Sequence, residues 1–503
     1  MKTSVCAQLA SLIVKETFGD CVADVVLYLI RKVKSPFRGV CSGTKLSQKQ
    51  VRLCLTIGIQ HNYIFVSKHP RGFNEYSVDI NAILHRLRYP SYVYCIKLLY
   101  GNVSEVLIEE ILHHGQILHS QLIPRTINKL KKNVKEQVSN VEATEKLEVL
   151  IKARFVEICP DMETVEEGDS GSHSPPSKRA RTEINYVKEK LCYRVSSLRF
   201  SYYHRDLQMV EAFTRKLGHK HGEILSTMLR LSEVKSAPAA TESAVITSNE
   251  VFNTLPQHLC ITSRAVLDVY MMTMVNDEMK MLVKVGDDGG GSYIIDYSQA
   301  MTALAIANAE ALVLERFGSK SLRLFRLLIL KQHLEQKQLE EMAMIPTKDA
   351  KQLLYNMYTH RFISTTDISK TADHAASRTF YCFKVPMEHL GGQLREANYK
   401  SILNLMSKRI QILSDNRRLL DKQQKMEAII ATLGEDEADQ KAEIEAMTTP
   451  SEQQQLQAVK NQTNRLENGE LQLASTTLTW DMFLTYKSTK RLSSLPQPKT
   501  AAK

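Results

Sequence analysis

Residues that break regular structure are scarce. The 503-residue chain has 20 glycines and 14 prolines, about 7% together, against roughly 12% in average usage. That shortage excludes a collagen-like or largely disordered chain and favours helix. Nine cysteines are spread from Cys6 to Cys382. None forms a Cys-x-x-Cys pair, and no Cys/His group has zinc-ligand spacing. An odd number without a framework fits a reducing compartment, cytosol or nucleus, with the thiols serving as small buried side chains. Long apolar runs are missing as well. Asp24 interrupts 22–30, and Arg323 and Arg326 interrupt 322–330, whereas a spanning helix needs about 20 mostly apolar residues. No membrane association is expected, and the opening residues do not read as a signal peptide.

The motifs of catalysis are also missing. There is no P-loop, no Gly-x-Gly-x-x-Gly after a strand, no Gly-x-Ser-x-Gly and no His-Glu-x-x-His. Gly289-Gly290-Gly291 precedes a strand instead of opening a helix, so it lacks anion-binding geometry and reads as a flexible turn. Asp287-Asp288 has no further oxygen ligands to hold a metal. His113-His114 has no orienting acid at a recognisable spacing. No nucleophile, base and oxyanion set can be assembled. No cofactor, metal or catalytic residue is therefore expected.

What is present is a weak internal repeat. Its clearest copy is 21–80. Val22, Val25, Val26, Leu29, Ile30 and Val33 share one helical face. Ser47 and Gln50 make a capping box, and Val51, Leu55 and Ile59 continue that helix. Residues 63–66 read as a strand, 70–72 as a turn, and Tyr76, Val78 and Ile80 as a return strand. The same order recurs after Ser139 with Glu142, after Ser263 and after Thr347. Extended segments follow at 154–159, at 281–285 with 292–296, and at 362–363 with 377–383. Helix, helix, helix, then hairpin is the winged-helix plan.

The predicted fold is mostly α with small β-hairpins: four tandem winged helices and a C-terminal antiparallel coiled-coil hairpin. The expected spans are 1–82, 83–203 with a flexible insertion at 160–183, 204–297, 298–387, 388–486, and a basic tail at 487–503. The hairpin rests on a heptad from Ile402. Its d positions are Leu405, Ile412, Leu419, Met426 and Leu433, offered as protein-docking residues. Arg409, Asn416 and Gln423 are polar a positions that pin register and partner. A second arm starts at Thr449, Pro450 and Glu452 and carries Leu456, Val459, Leu466 and Leu473.

The formal charge is 66 − 55 = +11, which suits a polyanionic partner. Candidate DNA contacts are Lys68 and Arg71 on the first wing, Lys178, Arg179 and Arg181 in the insertion, Lys284 on the third wing and Arg378 on the fourth. The three insertion residues also suit a nuclear import signal. The third helices are weakly basic: Lys49 and Arg52 oppose no acid in the first, but Asp268, Asp277 and Asp349 lie in or beside others, which argues against groove reading by all four and for protein docking by most.

Several long segments carry a resemblance: LRYPSYVY (87–94), RFGSKSLRLFRLLILKQHLEQKQ (316–338), AMIPTKDAKQLLYNMY (343–358) and SRTFYCF (377–383), with RGFNEY (71–76) and GDDGGGSYIID (286–296). They resemble the family of the largest subunit of the three-protein initiation subcomplex of DNA-directed RNA polymerase III, a relative of TFIIE. The resemblance implies a non-catalytic nuclear subunit seated on the clamp of the largest polymerase subunit. It further implies two smaller subcomplex partners, help in recruiting TFIIIB and a role in opening promoter DNA. In animals it implies a link to sensing AT-rich cytosolic DNA. The insertion here is shorter and less basic than is common in that family, which weakens any contact assigned to it. The rival readings are a free-standing winged-helix DNA-binding regulator and an unrecognised enzyme.

Overall fold

The computed structural model describes residues 4–133, 138–159, 191–236, 240–256, 259, 263–369, 379–432 and 449–494. They contain four three-stranded antiparallel sheets, and in each the last strand in sequence lies in the middle. In the first sheet Asn74–Val78 sits between Ser35–Pro36 and Ile64–Lys68. In the second, Cys192–Val195 sits between Gln116–Leu118 and Val156–Ile158. In the third, Ser292–Ile295 is flanked by Ile246–Thr247 and Leu282–Gly286. In the fourth, Thr379–Lys384 is flanked by Leu334–Glu335 and Ser364–Ser369.

Each sheet belongs to three helices. In the first module these are Asp20–Lys32, Phe37–Thr44 and Gln48–Gln60. In the second they are Asn102–His114, His119–Asn133 and Asn140–Lys152. The third module has His219–Lys235, Ser248–Thr254 and Arg264–Val275. The fourth has the latter part of Tyr297–Lys331, then Gln336–Ala343 and Thr347–Thr359. A short strand between the first two helices completes the sheet, so all four are winged helices.

A backbone device recurs in every module. The first helix follows a glycine with φ 88°, 86°, 99° and 82° at Gly19, Gly101, Gly218 and Gly318. With ψ near 180° this is a region open essentially to glycine alone. The residue before it is Phe18, Tyr100, Leu217 or Phe317. The third helix is followed by a left-handed residue, Asn62, Arg154, Lys280 or Arg361. Next comes a buried apolar residue, Tyr63, Phe155, Met281 or Phe362. In three modules the two ends meet as rings: Phe18 with Tyr63 at 6.3 Å, Tyr100 with Phe155 at 6.2 Å and Phe317 with Phe362 at 5.3 Å. The left-handed turn lets the Tyr63, Phe155 and Phe362 amides bond to Gly58, Leu150 and Met357 carbonyls. This closes helix ends whose last carbonyls would otherwise lack donors.

The structure moves some expected boundaries. Ile80 opens the short helix Ile80–Leu84 under an Asp79 cap instead of ending a strand. Phe362 and Ile363 precede the strand that starts at Ser364. Ser47 and Gln50 form both halves of their box, whereas Ser139 accepts from the Glu142 amide at 3.2 Å. Pro346 is the cap residue of the last third helix, and Thr347 is its first turn.

The described residues form two compact units. The first holds Met1–Ser201 and Asn398–Ser475. Its largest core cluster joins Leu9, Val25, Leu29, Val51 and Ile83 to Tyr399, Ile402 and Met406. Gly115, at the end of a second-module helix, faces the first module, and the neighbouring Gln116 amide donates to Asn62 at 2.8 Å. The second unit holds Tyr202–Ala397 and Thr476–Lys503. Its core joins Leu225, Met271, Phe325 and Leu354 to Leu390, Leu394, Trp480 and Phe483. Buried Arg205 lies 3.7 Å from the Tyr297 ring centre and donates to the Tyr486 hydroxyl at 2.6 Å and to Asp206 at 2.6 Å. The charge is thereby paired inside that core, as burial of a guanidinium demands.

The hairpin is formed by Met387–Asp415 and Arg417–Thr432 against Pro450–Ser494. Its pairings run antiparallel: Lys422 to Glu452 at 2.8 Å, Gln455 to Asn416 at 3.0 Å and Arg409 to Glu470 at 3.0 Å. Thr449 and Glu452 form the expected capping box.

Candidate nucleic-acid and partner interfaces

The four third helices present their outward side chains at the same steps after the cap. Counting two, five, six and nine residues on, the first module has Lys49, Arg52, Leu53 and Thr56, all exposed. The second has Val141, Thr144, Glu145 and Glu148. The third has Ala265, Asp268, Val269 and Met272. The fourth has Lys348, Lys351, Gln352 and Tyr355. Shared inward residues fix the helix, and the outward positions are free to differ. The faces are consequently basic in the first and fourth modules, acidic in the second and largely apolar in the third.

The first wing extends its basic face. Lys68 ends the strand Ile64–Lys68, and Arg71 stands at the turn beyond it; both are exposed. The Arg71 and Gly72 amides donate to His69, and the His69 and Phe73 rings stack at 4.4 Å, so the tip is ordered by its own side chains. Among the described residues neither Lys68 nor Arg71 enters an ion pair. Phe65 and Val66 are half-exposed on the same wing. Arg52 lies over the Phe37 ring at 5.7 Å, which holds its guanidinium near the helix surface.

The third wing is different. Lys284 pairs with Asp287, which raises the lysine pKa through the hydrogen bond and the neighbouring charge. Its charge is therefore partly spent within the chain. Val283 and Val285 beside it are exposed, as are Val266, Val269 and Met272 on the adjoining third helix. Arg264 donates to the Gly289 carbonyl at 3.0 Å and so ties the helix start to the glycine turn. That turn is short 3-10 structure between two strands and opens no α-helix. Lys178, Arg179, Arg181, Arg378 and Leu433 lie outside the described residues.

The heptad residues lie in the hairpin. Leu405, Ile412, Leu419 and Met426 are all half-buried, and the Leu405 methyl stands against Gly469 of the opposite arm, where an added Cβ would lie 3.3 Å from it. Leu405 thus faces an intramolecular seam, and changing it tests the hairpin before any partner. The polar a positions make the specific bonds. Asn416 sits at the break between the first two helices, donates to the Ile412 carbonyl at 2.8 Å and accepts from Gln455. Arg409 bridges Glu470 and Glu16, the latter at 2.5 Å, which joins both arms to the first helix of the chain, Ser4–Phe18. Burial opposes its charge, but the two carboxylates prevail and hold its pKa above the ordinary value.

Sequence reading missed the outward residues Lys348, Lys351 and Tyr355. Aligning the caps at Ser47 and Pro346 would have found them, because it sets Lys348 on Lys49 and Lys351 on Arg52.

Four family models match successive stretches of the chain. Residues 8–69 match the RNA polymerase III subunit RPC82 helix-turn-helix domain, and residues 112–304 match RNA polymerase III subunit RPC82. Residues 309–385 match the POLR3C C-terminal winged-helix domain, and residues 418–479 match the RPC3 helical hairpin domain. DNA-directed RNA polymerase III subunit RPC3 of Danio rerio is 35% identical over 93% of this chain and 96% of its own length. The Homo sapiens protein of the same name is 34% identical with the same coverage, and that of Dictyostelium discoideum is 33% identical over 26% of this chain and 20% of its own. The chain belongs to the family of DNA-directed RNA polymerase III subunit RPC3.

Proposed function

We propose that this chain is a non-catalytic subunit of DNA-directed RNA polymerase III and works in the nucleus. It docks on the clamp of the largest polymerase subunit and forms a subcomplex with two smaller subunits. In that setting it helps recruit TFIIIB and helps bind and open promoter DNA at genes for small non-coding RNAs. One observation carries the reading: likeness to RPC3 proteins runs through 93% of the chain, across all four winged helices and the hairpin. The exposed apolar face of the third module supports protein docking, since a patch rimmed by polar residues suits a partner surface. Lys68 and Arg71 on the first wing, which enter no ion pair among the described residues, support a phosphate contact that positions DNA without reading sequence.

The test is purification of the tagged chain from nuclear extract at moderate salt, with quantitative mass spectrometry. RNA polymerase III subunits should co-elute in one-to-one ratio with it. Elution alone, or with unrelated partners, would sink the proposal. A free-standing regulator would instead prefer its target over random DNA by at least about a thousandfold, and the acidic second-module face argues against that.

A further inference from the structure

The third helix of the fourth module, Thr347–Thr359, buries Ala350, Leu354 and Met357 and turns Lys348, Lys351, Gln352, Tyr355 and Tyr358 outward. Spacings of three, four and seven residues place these on one face. The rings are unusually bare, with Tyr355 69% and Tyr358 46% exposed. Asp349 would cancel part of the charge, but Lys320 of the module's first helix holds it at 3.0 Å. Glu340 and Glu341 of the second helix line a groove with Lys337 and Lys351, and Glu340 accepts from Gln336 at 2.7 Å. Among the described residues neither Lys348 nor Lys351 enters an ion pair.

We propose that this face is a nucleic-acid contact, in which Lys348 and Lys351 neutralise phosphates while Gln352 and Tyr355 meet the bases. Two cations one helical turn apart match a backbone of regularly spaced phosphates, and each neutralised phosphate releases counterions. Exposed rings beside the cations, one and two turns further along the helix, add a stacking platform, which a purely acidic peptide would not need. The comparison within the chain sharpens the point. The cation pair recurs at the same two steps in the first module, while the second module has Val141 and Thr144 there, and the third has Ala265 and Asp268. The inference rests on the proposed function's DNA contact and deepens it, adding a surface on a different module from Lys68 and Arg71.

The test uses the full chain and fluorescence anisotropy across a salt series. The probes are a short DNA duplex, a short single strand and a polyglutamate peptide. To keep the first module from masking the effect, K348Q/K351Q is also made in a K49Q/R52Q background. Both lysines are exposed, so the melting temperature should not move. The expected result is about a tenfold loss of DNA affinity and a log–log salt slope shallower by about 2. Y355A should weaken the single strand by at least about fivefold if bases stack there; equal loss on the duplex assigns Tyr355 to the backbone contact instead and keeps the face a nucleic-acid site. Unchanged DNA affinity and slope when K348Q/K351Q is added to the K49Q/R52Q background would overturn the proposal. So would lost polyglutamate binding with DNA binding intact, which would make the face a dock for an acidic protein. Polymerase co-purification is read separately: if it persists while DNA binding ignores the lysines, this inference alone fails.

Discussion

The second and first modules share a frame and oppose each other in charge. At steps five and six after the cap the first has Arg52 and Leu53, and the second has Thr144 and Glu145. The glycine, the left-handed residue and the buried ring behind these positions correspond between the two modules. The difference teaches that inward residues set the winged helix and outward ones set its partner. Substitutions should therefore divide into costly ones that leave binding chemistry alone and cheap ones that change it.

The largest cost is expected at the frame. Phe155 is 1% exposed, touches Phe200 at 4.8 Å and lies under Arg199. Phe155→Ala should destabilise the second module by about 3–5 kcal/mol, read by denaturant unfolding. A loss under about 1 kcal/mol would mean that the ring is dispensable to the frame.

The glycines offer a finer contrast. An added Cβ at Gly115 would lie 2.6 Å from the Gln60 carbonyl oxygen, while at Gly19 it would meet nothing within 4 Å. Both have positive φ. Gly19→Ala should cost about 1–3 kcal/mol through backbone strain alone. Gly115→Ala should cost more, because overpacking adds about 1–3 kcal/mol. Equal costs would show that the space behind Gly115 gives way.

Acid offers a third probe. Burial first, then the nearby Arg86, lowers the His61 pKa to about 4, and burial with Arg88 does the same for His85. Both rings are favoured neutral in the fold. Their contribution is complete above the ordinary value of 6.5 and is lost as pH falls towards 4. The melting temperature of the first unit should fall over that window, and His85→Gln should flatten the fall. An unchanged slope in that variant would remove His85 from the explanation.

The smallest structural effect should come from the outward face. Glu145 and Glu148 are exposed, so Glu145→Lys with Glu148→Lys should change stability by no more than about 0.5 kcal/mol. DNA affinity should rise and become more salt-dependent. No gain would show that lysines on this frame are insufficient and that the rings of the fourth module matter more.

Much of this frame was legible in residues. Ser47 with Gln50 announced a cap, and apolar spacing announced the helix behind it. The heptad from Ile402 announced a hairpin. The short first strands were not legible: Ser35–Pro36 and Leu334–Glu335 are two residues long, too short for any period to appear. The return strand of the second module was missed because Cys192–Val195 is separated from its partner by the insertion. The pairings of Lys284 with Asp287 and of Lys320 with Asp349 depend on side-chain reach, which charge lists do not report. The aromatic-glycine step at Phe18-Gly19 and Phe317-Gly318 stands in the sequence, but its role shows only when the ring meets Tyr63 or Phe362 in three dimensions.

Trp480 closes the core of the second unit from the last described helix. A ribosome delivers that side chain after every sheet strand has already emerged. Until then the core that holds Leu390, Leu394 and Phe325 lacks its largest side chain, and an apolar surface waits in the open. The first unit is likewise finished late, by Tyr399, Ile402 and Met406. Maturation of this chain is consequently paced by its tail, and a chaperone or an early-binding partner has its widest window before Trp480 is made.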